Sequence, residues 1–499
     1  MILERYRPII ADWTAFQSAN RTPEPIAFRV RSALVDAGDL RSRLHDAGFT
    51  LDPVEGVGGY FRVLSGPGSV AQTVEHWLGF LHVQQAVMAL PSLALAPLPG
   101  ERVLDLCAAP GGKTAHLSEL MRERGPLVAV DRKEKRIRGL LGNLYRLGCT
   151  NVVVIAGDGR WLPTGALFDR VLVDAPCSGE GNFRRKLGRV RSGSRGFTTH
   201  VTSLQEALLR RAIAVTRPGG TVVYSTCTYA PEENEAILDR VLRDAPVVME
   251  QIPLDLPHAS GITEWLGHRF HPDVEQAWRV YPNHLDSGGL FMARLRRLGP
   301  HPRPRAAGED ASSEQSGWSA IPCAFFGEDE SDARVRIERA VLELDKRLGL
   351  SASALDTVGW MVRGRHIWAQ TAGSWPIPTW QDDPGASARW RVVSVGLRAL
   401  KAGPGPRETP SSDFLTRWGR WIPSDKCVNV DATRLLRLLD GERLPTGGAP
   451  NGPVPLAWDG MVLGRGVMTA NGLMHELGRA HAARLVALLR PASSAPADT

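Results

Sequence analysis

The sequence predicts an α/β protein whose central part, residues 96–297, is a doubly wound, mostly parallel sheet. A smaller α+β segment precedes it over residues 1–95, and a mixed segment follows over residues 318–499. Two observations carry this division. Between 96 and 297, apolar β-type runs alternate with amphipathic stretches, the pattern of repeated βα units that pack helices on both faces of a parallel sheet. After it comes "GPHPRPRAAGEDASSEQSG", inside the predicted linker 298–317, which holds too little apolar surface to order itself.

In chain order, the first segment offers a strand, "AFRVRSALV" (Ala27 to Val35), and a helix from Leu40 to Ala47. The central segment reads "ERVLDLC", a helix from Thr114 to Arg122, "LVAVD", a helix from Glu134 to Arg146, "NVVVIAGD", "FDRVLVDAP", a helix from Leu204 to Val215, and "GTVVYSTC". Crossovers between its parallel strands are expected to be right-handed. The last segment carries nine of the fourteen tryptophans in short, turn-rich, mostly β-like pieces, with a final helix around Leu473 to Leu489. Tryptophan buries so much area that a core use is expected here, with base stacking as the other use.

Composition excludes several classes. Cys107, Cys149, Cys177, Cys227, Cys323 and Cys427 are scattered, with no C-x-x-C pair and no histidine cluster at metal spacing, so no disulfide framework and no metal site are expected. Reduced thiols of a cytoplasmic protein fit this pattern. The start "MILERYRPIIADW" puts charges where a signal peptide needs an apolar core, and no run approaches the roughly 18 apolar residues of a membrane span. No heptad seam suggests assembly, so a monomer is expected. Sixty Lys and Arg against 53 Asp and Glu leave a net charge of +7, a lean toward polyanions. The basic residues cluster in "RRKLGRVRSGSR" (Arg184 to Arg195) and "RLRRLGPHPRPR" (Arg294 to Arg305), which read either as solvated loops or as phosphate contacts.

The chemistry concentrates at strand ends. In "VLDLCAAPGGKTAHL" a strand runs into a Pro-Gly-Gly turn and then a helix whose first turn holds Lys113 and Thr114, so backbone N–H groups face a ligand. A P-loop needs a glycine where Cys107 stands, and no G-x-G-x-x-G is present. Ligands of such sheets sit at the carboxyl ends of the strands, with an acidic residue ending the next strand to hold ribose hydroxyls. Asp131 is placed for that, and Asp158 ends the third strand in the same way. A nucleoside cofactor without a pyrophosphate, S-adenosylmethionine, fits better than a dinucleotide.

Asp174, Pro176 and Cys177 end the fourth strand and Cys227 ends a later one, so two thiols and a carboxylate can converge on one edge. A buried cysteine is more often a small hydrophobe. Over a cofactor site, however, a thiolate can add to C6 of a cytosine and make C5 nucleophilic enough to take a methyl group from a sulfonium, provided the base is unstacked.

"LDLCAAPGGKT", Asp131 with Arg136, "NLYRLG", "FDRVLVDAPCSGEG", "RPGGTVVYSTCTYAPEENE" and "RVYPNHLDSGGLFMARL" together resemble the RNA cytosine-5 methyltransferases, and within them the bacterial branch of ribosomal RNA small subunit methyltransferase F. The resemblance covers most of residues 80 to 297. It implies a Rossmann-like, class I S-adenosylmethionine-dependent methyltransferase domain, an N-terminal α+β RNA-binding subdomain, and a C-terminal PUA-like RNA-binding domain. It implies a cofactor pocket of Cys107, Ala108, Ala109, Pro110, Gly111, Gly112, Lys113, Asp131, Arg136, Asp158 and Asp174. It further implies Cys227 as nucleophile, Cys177 as the thiol assisting release, Asp174 as the carboxylate that hydrogen-bonds the cytosine, and Lys113 beside the target base.

The flanks depart from the family. Gln85 stands where an acidic residue is usual, Arg31 replaces the asparagine of an "RVN" strand, and a lysine is missing near "NGLMHELGRAH". The expected substrate is 16S ribosomal RNA. Alternatives are tRNA, DNA with Cys177 as nucleophile, and a non-catalytic RNA-binding assembly factor with an idle pocket.

Overall fold

The computed structural model describes residues 2–165, 167–186, 195–299, 317–381, 390–403, 407–445 and 451–489. Most of the expected linker, and the parts of the two basic clusters at 187–194 and 300–305, lie outside these residues.

Strands β1 (Ala27–Val30), β2 (Thr50–Pro53), β3 (Tyr60–Ser65) and β4 (Leu81–Val83) form an antiparallel sheet in the order β2-β3-β1-β4, with helix α1 at Ala37–Asp46. The strand expected over Ala27 to Val35 ends at Val30. Arg31 then turns inward, buried against Glu123 and the carbonyl of Leu147.

The central sheet is built on β5 (Val103–Asp105), β6 (Leu127–Asp131), β7 (Val152–Gly157), β8 (Phe168–Asp174) and β9 (Thr216–Thr226). These five are parallel, in the order β7-β6-β5-β8-β9. Beyond β9 the sheet turns antiparallel through β13 (Leu290–Arg297), β12 (Trp278–Val280) and β11 (Ala259–Ser260), and β10 (Val247–Glu250) also pairs with β13.

Strand β6 up to Val130 and strand β7 are apolar because both faces are covered, and alternate residues go to different cores. Val128, Val130, Val153 and Ile155 pack on one face with helix α4 (Arg195–Val215). Leu127, Ala129, Val152 and Val154 pack on the other with α2 (Gly112–Leu120) and α3 (Glu134–Arg146). Helix α3 shows the spacing that predicted it: Ile137, Leu140 and Leu144 are buried, and Glu134, Lys135, Arg136 and Arg138 are exposed. Helix α2 begins at Gly112, two residues before the predicted start at Thr114, so the second glycine is a helical residue.

The last segment does not stand apart from the sheet. Strand β16 (Trp390–Val395) pairs antiparallel with β7 and closes that edge. In chain order it falls between β15 (His366–Gln370) and β17 (Leu397–Ala402), which pair with each other in a separate sheet where β15 also pairs with β14 (Gly359–Arg363). Trp318, Trp375 and Trp380 are fully buried in the core shared with the central sheet. The mostly β-like expectation misses helix α6 (Glu330–Leu348), capped by Asp329 at one end and by left-handed Gly349 at the other. The single final helix expected around Leu473 to Leu489 is instead a strand, Gly472–His475, followed by a helix at Arg479–Leu489.

Three of the described basic residues are engaged within the fold, while Arg185 and Lys186 are exposed and Arg185 lines the cavity described below. Arg184 is buried and donates to the carbonyls of Thr22, Pro23 and Ser287 and to Asp286. Arg294 and Arg296 pair with Glu250.

Candidate active site

The carboxyl ends of the parallel strands carry the site. After β5 the chain runs through Cys107 to Gly111 into α2. Gly111 has φ of 102°, and a Cβ there would lie 2.7 Å from the Leu140 side chain, so the turn needs glycine to press against α3. Gly111 supplies no side-chain cap, which leaves the N-terminus of α2 open to a ligand.

Three side chains hold this turn from behind. Asp131 accepts from the Ala109 N–H at 3.2 Å and the Lys133 N–H at 2.9 Å, and lies 3.1 Å from Arg136 Nη1. Arg136 also donates to the Ala109 carbonyl, and Asn143 Nδ2 to that of Pro110 at 2.9 Å.

A cavity of about 600 Å³ opens over the turn. Of the residues expected from sequence, Cys107, Ala108, Ala109, Pro110, Gly112, Lys113, Arg136, Asp174 and Cys227 line it. Gly111, Asp131, Asp158 and Cys177 are not among its lining residues; Cys177 is partly exposed beside Cys227. Asp158 ends β7 but turns to Arg160, accepting at 3.0 and 2.7 Å, with Arg132 at 3.6 Å; burial opposes its ionisation, and the Arg160 bonds overcome this and lower its pKa.

On the cavity floor Lys113 Nζ donates to Asp174 Oδ2 at 2.7 Å, and Ser225 Oγ to Asp174 Oδ1 at 3.0 Å. Burial works against the Lys113 charge, but attraction to Asp174 outweighs it and raises the ammonium's pKa. Asp105 is the opposite case. Its Oδ2 accepts from Thr114 Oγ1 at 2.7 Å, its Oδ1 is buried with no partner, and burial pushes its pKa up to about 7.

The two thiols meet at the edge between β8 and β9, which are neighbours in register, Asp174 opposite Ser225. Cys177 Sγ and Cys227 Sγ are 3.3 Å apart. A bond from the Cys177 thiol, with help from Asn182 Nδ2 at 3.1 Å, pulls Cys227 below the ordinary thiol range. The same contact and burial push Cys177 well up. Burial also raises Cys107, Cys149 and Cys427. Of the two thiols that line the cavity, Cys107 and Cys227, the one poised to ionise is therefore Cys227.

Sequence reasoning missed Asp105 and Asn182. Asp105 was open to the strand-end rule applied to Asp131 and Asp158. Asn182 had no local signal, because its place depends on a turn folding back onto β9.

A mixed sheet of this order, with its cavity over the parallel carboxyl ends, is the Rossmann-like fold of the class I methyltransferases. The crystal structure of a methyltransferase homolog protein from Pyrococcus horikoshii superposes with a TM-score of 0.52 at 33% identity, over 58% of this chain and 91% of that one. The family described as 16S rRNA methyltransferase RsmB/F matches residues 92–296. A tRNA (cytosine(49)-C(5))-methyltransferase of Pyrococcus abyssi is 31% identical over 298 residues, which are 59% of this chain and 95% of that protein. A 28S rRNA (cytosine-C(5))-methyltransferase of Mus musculus is 34% identical over 315 residues, 61% of this chain and 39% of the relative. The chain belongs to the RNA (cytosine-C5)-methyltransferases of the RsmB/F family. It spans well under half the length of its mouse relative.

Proposed function

We propose that this protein transfers a methyl group from S-adenosylmethionine to C5 of a cytosine in RNA, with 16S ribosomal RNA as the substrate. The observation that carries the reading is the pair of sulfurs 3.3 Å apart, one lowered and lining the cavity, the other raised and beside it.

The residues present suit the cofactor. The cavity offers carboxylates rather than a phosphate cradle, Asp105 Oδ1 is left without a partner, and a Cβ on Gly112 would meet Gln84 Nε2 at 2.8 Å. The turn from Cys107 to Lys113, with Asp131, Arg136, Asp158 and Asp174, would hold S-adenosylmethionine, which when bound supplies an electrophilic methyl group on a sulfonium. Cys227 adds to C6 of the base and makes C5 nucleophilic. Asp174, held by Lys113 and Ser225, hydrogen-bonds the cytosine ring during attack. Once C5 carries the methyl group and loses its proton, the C6–S bond breaks, and Cys177 assists that release. In the same reading the segment 1–95 and the PUA-like segment 318–499 bind RNA, and the protein is a cytoplasmic monomer; among the described residues no helix is long and apolar enough to cross a membrane.

The family description favours 16S ribosomal RNA, while the Pyrococcus abyssi relative favours tRNA as the second reading. Incubation with tritiated S-adenosylmethionine and either small-subunit RNA or tRNA separates them, with label expected as 5-methylcytosine in the ribosomal RNA. Cys227→Ala is expected to abolish transfer, and Cys177→Ala to leave a covalent protein–RNA adduct on a denaturing gel. Unlabelled RNA of both kinds would favour an idle pocket. Transfer that survives Cys227→Ala and is lost in Cys177→Ala would reverse the two thiols.

A further inference from the structure

Among the described residues, a polar side chain besides Cys177 touches the Cys227 sulfur, and it comes from neither cysteine-bearing motif's strand. Asn182 lies in the 3-10 turn Glu180–Asn182, is buried, and lines the cavity beside Cys227. Its Nδ2 donates to Cys227 Sγ at 3.1 Å and reaches the Gly179 carbonyl at 3.4 Å. A carbonyl only accepts, so the second contact settles which end of the amide faces the sulfur.

The turn is fastened to the nucleophile's own backbone. Gly181 N–H donates to the Cys227 carbonyl at 2.9 Å, and the Gly289 N–H donates to the Gly181 carbonyl at 2.9 Å. A Cβ at Gly181 would lie 2.3 Å from the Gly289 oxygen and 3.0 Å from the Cys227 oxygen, so glycine is what permits this approach. Glu180 anchors the other side, accepting from Tyr6 at 2.5 Å and Thr228 Oγ1 at 3.0 Å. The asparagine that follows is thereby held against Sγ.

We infer that Asn182 is a positioning residue that holds the Cys227 sulfur as an oriented thiolate, an inference that rests on Cys227 being the attacking thiol. A fixed N–H donor favours the anion over the thiol and limits the sulfur to one direction. It also breaks the symmetry of a thiol pair that would otherwise share one proton, because of the two sulfurs Asn182 donates to that of Cys227; Cys177 faces the negative field of Glu233 instead. Other groups act on the same sulfur: Lys113 favours its ionisation and Asp174 opposes it.

The test is alkylation of Cys227 by iodoacetamide across pH 5 to 10, read peptide by peptide so that Cys177 is counted separately. Asn182→Ala is expected to move the Cys227 midpoint up by about one pH unit, slowing alkylation near neutrality about tenfold. Asn182→Ser, which restores a donor, should fall between Ala and the parent, and Asn182→Asp, which adds a negative charge, should be slower than Ala. Methyl transfer by the same variants should lose kcat with little change in KM for S-adenosylmethionine. Coincident Cys227 alkylation curves in the parent and in any two of these variants that melt like it would overturn the inference. Alkylation needs no RNA, so a protein that fails to methylate RNA yet shows the Asn182 order sinks only the activity reading.

Discussion

A carboxyl group sealed at the end of β5 with one oxygen unpaired binds its proton more tightly than one in water, because the buried anion has too few donors to replace hydration. Asp105 keeps its proton to about pH 7 in the folded chain, against 3.8 when exposed. Between these values the folded state carries the extra proton. The resulting stability is complete below about pH 4 and is lost as pH rises through 7, up to about 4 kcal/mol in total. Asp105→Asn should flatten that fall, so that urea unfolding without methyl donor gives the variant a relative gain at pH 8 over pH 5. An unchanged slope would show Asp105 ionised throughout. At this scale the cysteines illustrate what spacing can and cannot convey. Both motif thiols were legible because strands of a parallel sheet end on one edge, so two strand-end residues converge. Which one ionises was not legible from position, only implied by the resemblance, since it depends on the bond from Cys177 and on Asn182, which reaches Cys227 from a separate turn.

Elements were legible where the pattern was local. Strands β6 and β7 read as continuous apolar runs because both of their faces are buried, and α3 announced itself by period. Helix α6 did not, since two of the four residues it buries are alanines, Ala333 and Ala340, and its stripe is faint among charges. Its caps, Asp329 and Gly349, were the better signal. Strand β16 reads as a short β-like piece, but nothing local says that its partner is β7 rather than a strand of its own segment. Its docking depends on Gly396, which follows it at φ of 62°, with a Cβ position 2.3 Å from the Ala369 oxygen and 2.7 Å from that of Thr150. Gly396→Ala should therefore loosen β16. Faster amide exchange along Val152–Gly157 would report it, and exchange identical to the parent would show that the turn tolerates a side chain.

Across the whole molecule the three sequence segments are joined at one buried carboxylate. Glu123, after α2, pairs with Arg31 from the first segment and with Arg417, at 2.8 Å, from the last. Thr150 Oγ1 donates to it at 3.0 Å, and its own carbonyl accepts from Thr371 Oγ1 at 2.7 Å. This explains the departure at residue 31: a guanidinium there reaches a partner that an asparagine could not. Burial alone would raise the Glu123 pKa, but the two arginines and Thr150 outweigh it and hold it below the ordinary glutamate range. A depressed folded pKa gives stability that is present above the unfolded value and is lost as pH falls through the folded one. Glu123→Gln leaves the largely buried Arg417 without a carboxylate and Arg31 with Glu119 alone, at 3.7 Å, and should cost about 3 kcal/mol at neutral pH. The parent should converge on the variant as the medium is acidified below the glutamate range. Thermal unfolding at pH 7 and pH 3 measures both effects, and a Gln variant as stable as the parent at pH 7 would show that apolar packing, not this ion cluster, joins the segments.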